Sequence, residues 1–157
     1  MKVKKLLALV LSAIMAVSML TACGGGNGVK TVSVDRREVE KLYADVNYEI
    51  EVTTSNIATT AAKQVAEMIT ERDFGSVTQD FLSTELSRYL PQGAVGMYMF
   101  SSKANMEASS VTVETLVAGT IWSLYSAGYG NSYGVVVVDV TTADDVPCYL
   151  SVAIALS

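Results

Sequence analysis

The stretch that most constrains the fold is residues 133–142, where four consecutive valines, Val135 to Val138, sit between Tyr133 and Thr142. β-branched side chains restrict their own χ1 rotation and pack well on a pleated surface, so this run predicts a strand. Asp144, Asp145, Val146 and Pro147 then turn the chain, and residues 148–156 form a second apolar run that predicts the last strand. Ahead of them, residues 127–131 read Ala-Gly-Tyr-Gly-Asn and predict a turn. Val111, Val113 and Thr115 alternate, and an extended stretch is expected to continue from Val117 to Tyr125, with Gly119 marking a bulge. The C-terminal half therefore reads as an antiparallel meander of at least three strands.

The N-terminal half carries helical patterns. Asp35 offers an N-cap with Glu38 three residues on, and Val39, Leu42 and Tyr43 follow at helical spacing over residues 36–44. Residues 46–52 alternate, with Val46, Tyr48, Ile50 and Val52 on one face, which predicts a half-buried strand. Ile57, Ala61, Val65, Met68 and Ile69 then recur at steps of mostly three and four, painting one apolar stripe that ends at Asp73-Phe74-Gly75. Gly75 suits a left-handed C-cap. A second helix is expected from Ser76, capped with Gln79, carrying Val77, Phe81, Leu82, Leu86 and Leu90 as its stripe and stopping at Pro91-Gln92-Gly93. Residues 94–100 read as an internal strand or a pocket-lining loop, and residues 101–110 as a polar connection. Helices early and a curled antiparallel sheet late give an α+β class, with two or three helices laid on one face of the sheet.

The first 28 residues follow a different logic. Lys2, Lys4 and Lys5 precede an uncharged apolar run over residues 6–20, the layout of an export signal. That run is shorter than the ~20 residues a helix needs to cross the hydrocarbon core. The next four residues, Leu20-Thr21-Ala22-Cys23, resemble the lipobox of bacterial lipoproteins at every position. The resemblance implies that residues 1–22 are a signal peptide, that Cys23 carries a diacylglycerol thioether, and that the mature chain starts there, on the outer face of the cytoplasmic membrane. Two acyl chains suit a tether, each buried CH₂ adding about 0.8 kcal/mol to membrane binding. Residues 23–34 would then be a Gly-rich leash, with residues 29–34 either its end or a short strand, and residues 35–157 a single domain.

Loss of the three signal lysines leaves eight basic against sixteen acidic residues, a net charge of −8 in place of −5. Such a balance argues against nucleic acid and against electrostatic docking on anionic lipid. Acylation of Cys23 leaves Cys148 alone, in an apolar run where a buried thiol is expected, so no intramolecular disulfide is available. The chain has no histidine, which removes Ser-His-Asp and Cys-His chemistry, the usual zinc sites and the commonest general base. Asp144 and Asp145, adjacent in a turn without further oxygen ligands, make a weak cation site. No residue pattern asks for a metal or a cofactor.

Residues 61–77, followed by Phe81 and Leu86, resemble the opening helices of the nuclear-transport-factor-2-like (cystatin-like) cone. Val138 to Thr142 and Tyr149 to Ala153 look like the final hairpin of such domains in Gram-positive conjugative-transfer proteins. The resemblance implies a cone whose mouth, in the enzymes of that class, holds an Asp base with Tyr or His partners. Here the substitutes would be Tyr98, Asp139 and Tyr129, lining a pocket. The strand at residues 46–52 lies outside the simplest form of that fold.

Three functions stay open from sequence: a tethered, non-enzymatic binding or assembly module with an envelope protein partner, as in a conjugative-transfer complex; a carrier or enzyme using a central apolar pocket; and a structural surface lipoprotein. A Gram-positive host is the working assumption, and no sequence feature sets an oligomeric state. Tyr125, Tyr129 and Tyr133 around the Gly-rich turn have the composition of an adaptable binding surface.

Overall fold

The computed structural model describes residues 29–156, so the expected signal peptide and Cys23 lie outside the described residues. Five strands form one open sheet: β1 (Lys30–Val32), β2 (Glu51–Thr54), β3 (Gly96–Ser102), β4 (Ser132–Thr141) and β5 (Pro147–Ala155). Five α-helices accompany them among the described residues: α1 (Arg36–Ala44), α2 (Asn56–Ile69), α3 (Gln79–Tyr89), α4 (Lys103–Ala108) and α5 (Val113–Tyr125). The α+β class is thus present.

The Val-rich run is β4, and it is bonded along both edges. β5 pairs with it antiparallel from Tyr133↔Ala155 to Thr141↔Pro147, and β3 pairs antiparallel with β5 on the far side. The other edge of β4 is shared: β2 runs parallel along Ser132 to Val135, and β1 runs antiparallel along Val137 to Asp139. Residues 29–34 therefore contribute a strand, with Val29 buried. The parallel β2 pair also departs from the all-antiparallel expectation.

Helices cover both faces, not one. Alternation along β4 sends Val136, Val138 and Val140 toward α2 and α3, and Tyr133, Val135 and Val137 toward α1 and α5. The first face is filled by Ala58, Ala61, Ala62, Val65, Ala66 and Ile69 of α2, with Leu82 and Leu86 of α3; Ala61, Val65 and Ile69 belong to the expected stripe, whereas its first residue, Ile57, is 47% exposed and Met68 is only half-buried. Small side chains let α2 approach the strands closely. A Cβ on Gly134 would come within 2.5 Å of the Ser55 Cβ, and Ser55 is the N-cap whose Oγ accepts from the Ala58 N–H.

Six expectations about local structure need correction. Residues 113–125 are helical, not extended: Thr112 caps them by accepting from the Thr115 N–H, and Leu116, Val117, Thr120, Ile121 and Leu124 are buried at helical spacing. Gly119 marks close contact instead of a bulge, since a Cβ there would lie 2.9 Å from the Met99 Sδ. The strand at residues 46–52 shrinks to Glu51–Thr54, because its first residues close α1 in a Schellman motif. Asn47 is left-handed at φ 65°, its N–H bonds the Ala44 carbonyl, and the Tyr48 N–H bonds the Tyr43 carbonyl. The expected second helix starts at Thr78 instead of Ser76, since Phe74–Ser76 form a 3₁₀ turn and the Thr78 Oγ1 caps the Phe81 N–H. That turn also excludes Gly75 from a left-handed cap, because its φ is not positive. Finally, the polar connection at residues 101–110 contains the end of β3 and all of α4, which Ser102 caps at the Asn105 N–H.

Candidate interaction surface

The Schellman closure of α1 delivers Tyr48 to the outer side of α5. There Tyr48, Tyr43, Trp122 and Tyr125 form one aromatic cluster, with ring centroids 5.2 to 6.3 Å apart. Their sequence positions explain the meeting: Trp122 and Tyr125 are three apart on α5 and share a helical face, while Tyr43 ends α1. Tyr43 is the buried foot of the cluster, and its hydroxyl donates to the Ala118 carbonyl at 2.7 Å. Burial foremost, then Tyr133 and Tyr125, raises its pKa, so the phenol stays a neutral donor.

The other members reach solvent. Trp122 is 47% exposed, Tyr48 38% and Val46 58%, and Leu42, Tyr43, Val46, Ala118 and Trp122 line a shallow depression of about 200 Å³. A Trp with Tyr neighbours and aliphatic flanks is the composition of a binding hot spot: large area with few rotors to immobilise. Asp45 and Glu49 lie exposed in the same loop, so the apolar patch has an acidic border.

The expected pocket trio does not assemble. Tyr98 points to the α2/α3 face, where its hydroxyl donates to the Gln79 carbonyl at 2.8 Å; burial first and the Asp80 carboxylate second raise its pKa. Asp139 stands on the opposite face, as its pairing with Tyr149 requires. It is bound to the Lys103 Nζ at 2.6 Å, and that ammonium also lies 4.8 Å from the Tyr149 ring centroid. Burial acts to lower the Lys103 pKa, but the Asp139 hydrogen bond and charge outweigh it and leave the pKa raised. Tyr129 sits exposed in the loop after α5. The period-two geometry of a strand is what separates Tyr98 from Asp139: the two occupy different side-chain sets of one sheet.

Tyr125, Tyr129 and Tyr133 also part company. Tyr133 is fully buried and donates to the Gly130 carbonyl, whereas Tyr125 joins the aromatic cluster. Asp144 serves the turn: it accepts from the Thr142 hydroxyl and the Phe74 N–H, and these bonds hold its pKa below the usual carboxylate range. Among the described residues no group of three or more His, Cys, Asp or Glu could hold a metal ion. Cys148 is buried, and burial foremost, with Asp144 and Asp139 adding, pushes its thiol up to about 11.

A second concavity, about 400 Å³, runs between α3 and β3 and is lined by Ser83, Leu86, Ser87, Leu90 and the loop leading into Tyr98. No helix among the described residues is long and apolar enough to cross a membrane. No family model matches the chain, and neither does any curated protein or solved structure.

Proposed function

We propose that the chain is a lipid-tethered extracytoplasmic lipoprotein whose α+β domain is a non-enzymatic binding module, and that the Trp122 face is what it binds with. The carrying observation is the aromatic cluster of Trp122, Tyr48 and Tyr125 over Tyr43, with Trp122 and Tyr48 exposed to solvent. The tether half of the reading rests on Leu20-Thr21-Ala22-Cys23. The nuclear-transport-factor-2-like cone and a conjugative-transfer setting rest on the sequence pattern of residues 61–77 and the last hairpin.

The position of the first described residue favours a protein partner over lipid. Lys30 pairs with Asp139, near the end of β4, whereas β2, which follows the aromatic loop, pairs with β4 from Ser132. Seven residues of strand, about 23 Å, separate those two levels. From Cys23 to Lys30 the chain advances seven residues, at most about 23–25 Å. The leash joins the domain toward one end of β4 and the aromatic loop lies toward the other, which supports an envelope protein as the occupant of the patch. The acidic border of Asp45 and Glu49 fits a partner segment that presents an apolar side chain flanked by Arg or Lys.

A photo-crosslinking side chain at position 122, in membranes at native expression, tests the reading against the same side chain at Gln64, exposed on α2 across the sheet. The expected result is a protein adduct from position 122 alone, lost with Tyr48→Ala and displaced from the membrane fraction by Cys23→Ala. Equal adducts from both positions, or none from 122, would overturn it.

A further inference from the structure

The two edges of the sheet differ in how they are protected. The edge beside β4 is split between the three residues of β1 and the four of β2, and it carries Lys30 and Glu51. Short, charged edge strands of this kind discourage pairing with another chain. The other edge is β3, seven residues in unbroken register with β5. From Tyr89 to Ser102 there is no charged side chain at all, and no proline falls within the strand.

The hydrogen-bond phase of β3 follows from its neighbours. The Ala155 N–H bonds the Val95 carbonyl, and the Leu156 N–H bonds the Ser132 carbonyl. Antiparallel ladders alternate, so Met97, Met99 and Ser101 bond to β5, and the backbone groups of Gly96, Tyr98 and Phe100 point outward, with the Ser102 N–H. The Ser102 carbonyl is already used, accepting from the Ser101 hydroxyl. Beside this edge lies the 400 Å³ groove under α3, which leaves room for a neighbouring strand.

We propose that β3 is a homodimerisation edge, pairing antiparallel with β3 of a second copy about a two-fold axis at Met99. An antiparallel strand pair between identical chains is self-complementary by symmetry. With the axis at Met99, Tyr98 meets the second copy's Phe100, Gly96 meets its Ser102, Met97 meets its Ser101, and Met99 meets itself. The outward-pointing residues then form the hydrogen-bonded pairs. Each Tyr98–Phe100 pair exchanges two bonds, and each Ser102 N–H finds a Gly96 carbonyl. Every cross-strand contact is aromatic, apolar or small, and aromatic pairs directly opposite add to the pairing. Charge selects this occupant: an uncharged strand is the complement of an uncharged edge, and β3 itself is the uncharged strand of matching length. The proposal rests on the backbone edge of β3 and not on the Trp122 face, although the two adjoin: Met99 lies against Gly119, one turn of α5 from Trp122.

Cysteine crosslinking in isolated membranes reads the register directly. In a non-hydrogen-bonded antiparallel pair the Cα atoms lie about 4.5 Å apart, within the range of about 4.4–6.8 Å that a disulfide spans. Met99→Cys should therefore shift the chain to twice its mass on a non-reducing gel after mild oxidation. Met97→Cys should not, because the two copies of position 97 lie four residues out of step, about 13 Å along the strand. The double variant Met97→Cys with Ser101→Cys should crosslink again, and it reads the same axis if Met99→Cys does not fold. Resistance of Cys148 to alkylation reports folding in each variant, since that thiol is buried. Equal dimer from position 97 and position 99 overturns the proposal, as does an adduct of position 99 with a different protein. A folded Met99→Cys chain that stays monomeric overturns it too.

Discussion

The two faces of the sheet are filled in opposite ways. Under α2 and α3, alanines and branched aliphatics close the space, and the side chains are used up in the interior. Under α1 and α5 the inner layer is just as tightly filled by Val39, Val117, Ile121 and Leu124, but a second, aromatic layer stands outside it and, among the described residues, leaves Trp122 and Tyr48 exposed. The lesson is that hydrophobic content alone does not separate stability from recognition. Trp122 and Leu150 are both large and apolar; one is 47% exposed and the other 1%.

Truncation should break that contrast most visibly. Leu150→Ala, at the buried β5 position facing α2, should lower stability by about 2–5 kcal/mol, while Trp122→Ala should cost about 1 kcal/mol, mainly its ring contacts. Urea midpoints at constant m-value decide it; equal losses would mean that Trp122 is structural and not a contact residue. A smaller effect sits at Cys148, on the α2/α3 side. Its folded pKa is raised from 9.0 to about 11, so the folded state holds the proton more tightly. Stability from this group is complete below pH 9 and is lost as pH rises toward 11, by an amount on the order of 2 kcal/mol. Cys148→Val should flatten the pH profile in that window, and an unchanged slope would assign the loss to the tyrosines. The smallest effect belongs to the α1/α5 side. Lys103→Met should cost under about 1 kcal/mol, because the Lys103–Asp139 pair is a third exposed, and added salt should erase the difference.

What could be read from the chain beforehand follows the same division. The α2 helix was legible because its wet side is polar, so Ala61, Val65 and Ile69 stand out at helical spacing. The α5 helix was not. It lies against α1, β3 and β5 at once, and apolar residues on nearly every side erase the period that would announce a helix. Val111, Val113 and Thr115 then mimicked a strand, when Thr112 and Thr115 are the cap. Val46 and Tyr48 alternate convincingly, but the left-handed Asn47 between them is a backbone choice that a period-two pattern does not register. The aromatic surface is half legible: the Tyr-rich turn singles out Tyr125, but with Tyr129 and Tyr133 as its neighbours. Its true partners come from α1, the loop after it and α5, up to 82 residues apart in sequence, and no local pattern encodes that meeting.

The pairing of β1 with β4 has a mechanical consequence. Any pull on the chain ahead of Val29 is delivered first to a ladder of three residues, Lys30 to Val32, lying along β4. Because β1 is antiparallel to β4 and begins beside Asp139, traction along the sheet loads its bonds in shear together, while traction across the sheet opens them one at a time. The domain is thus stiff to drag in one direction and yielding in the other, and the first part to give way would be its own N-terminal strand, with the aromatic face left in place.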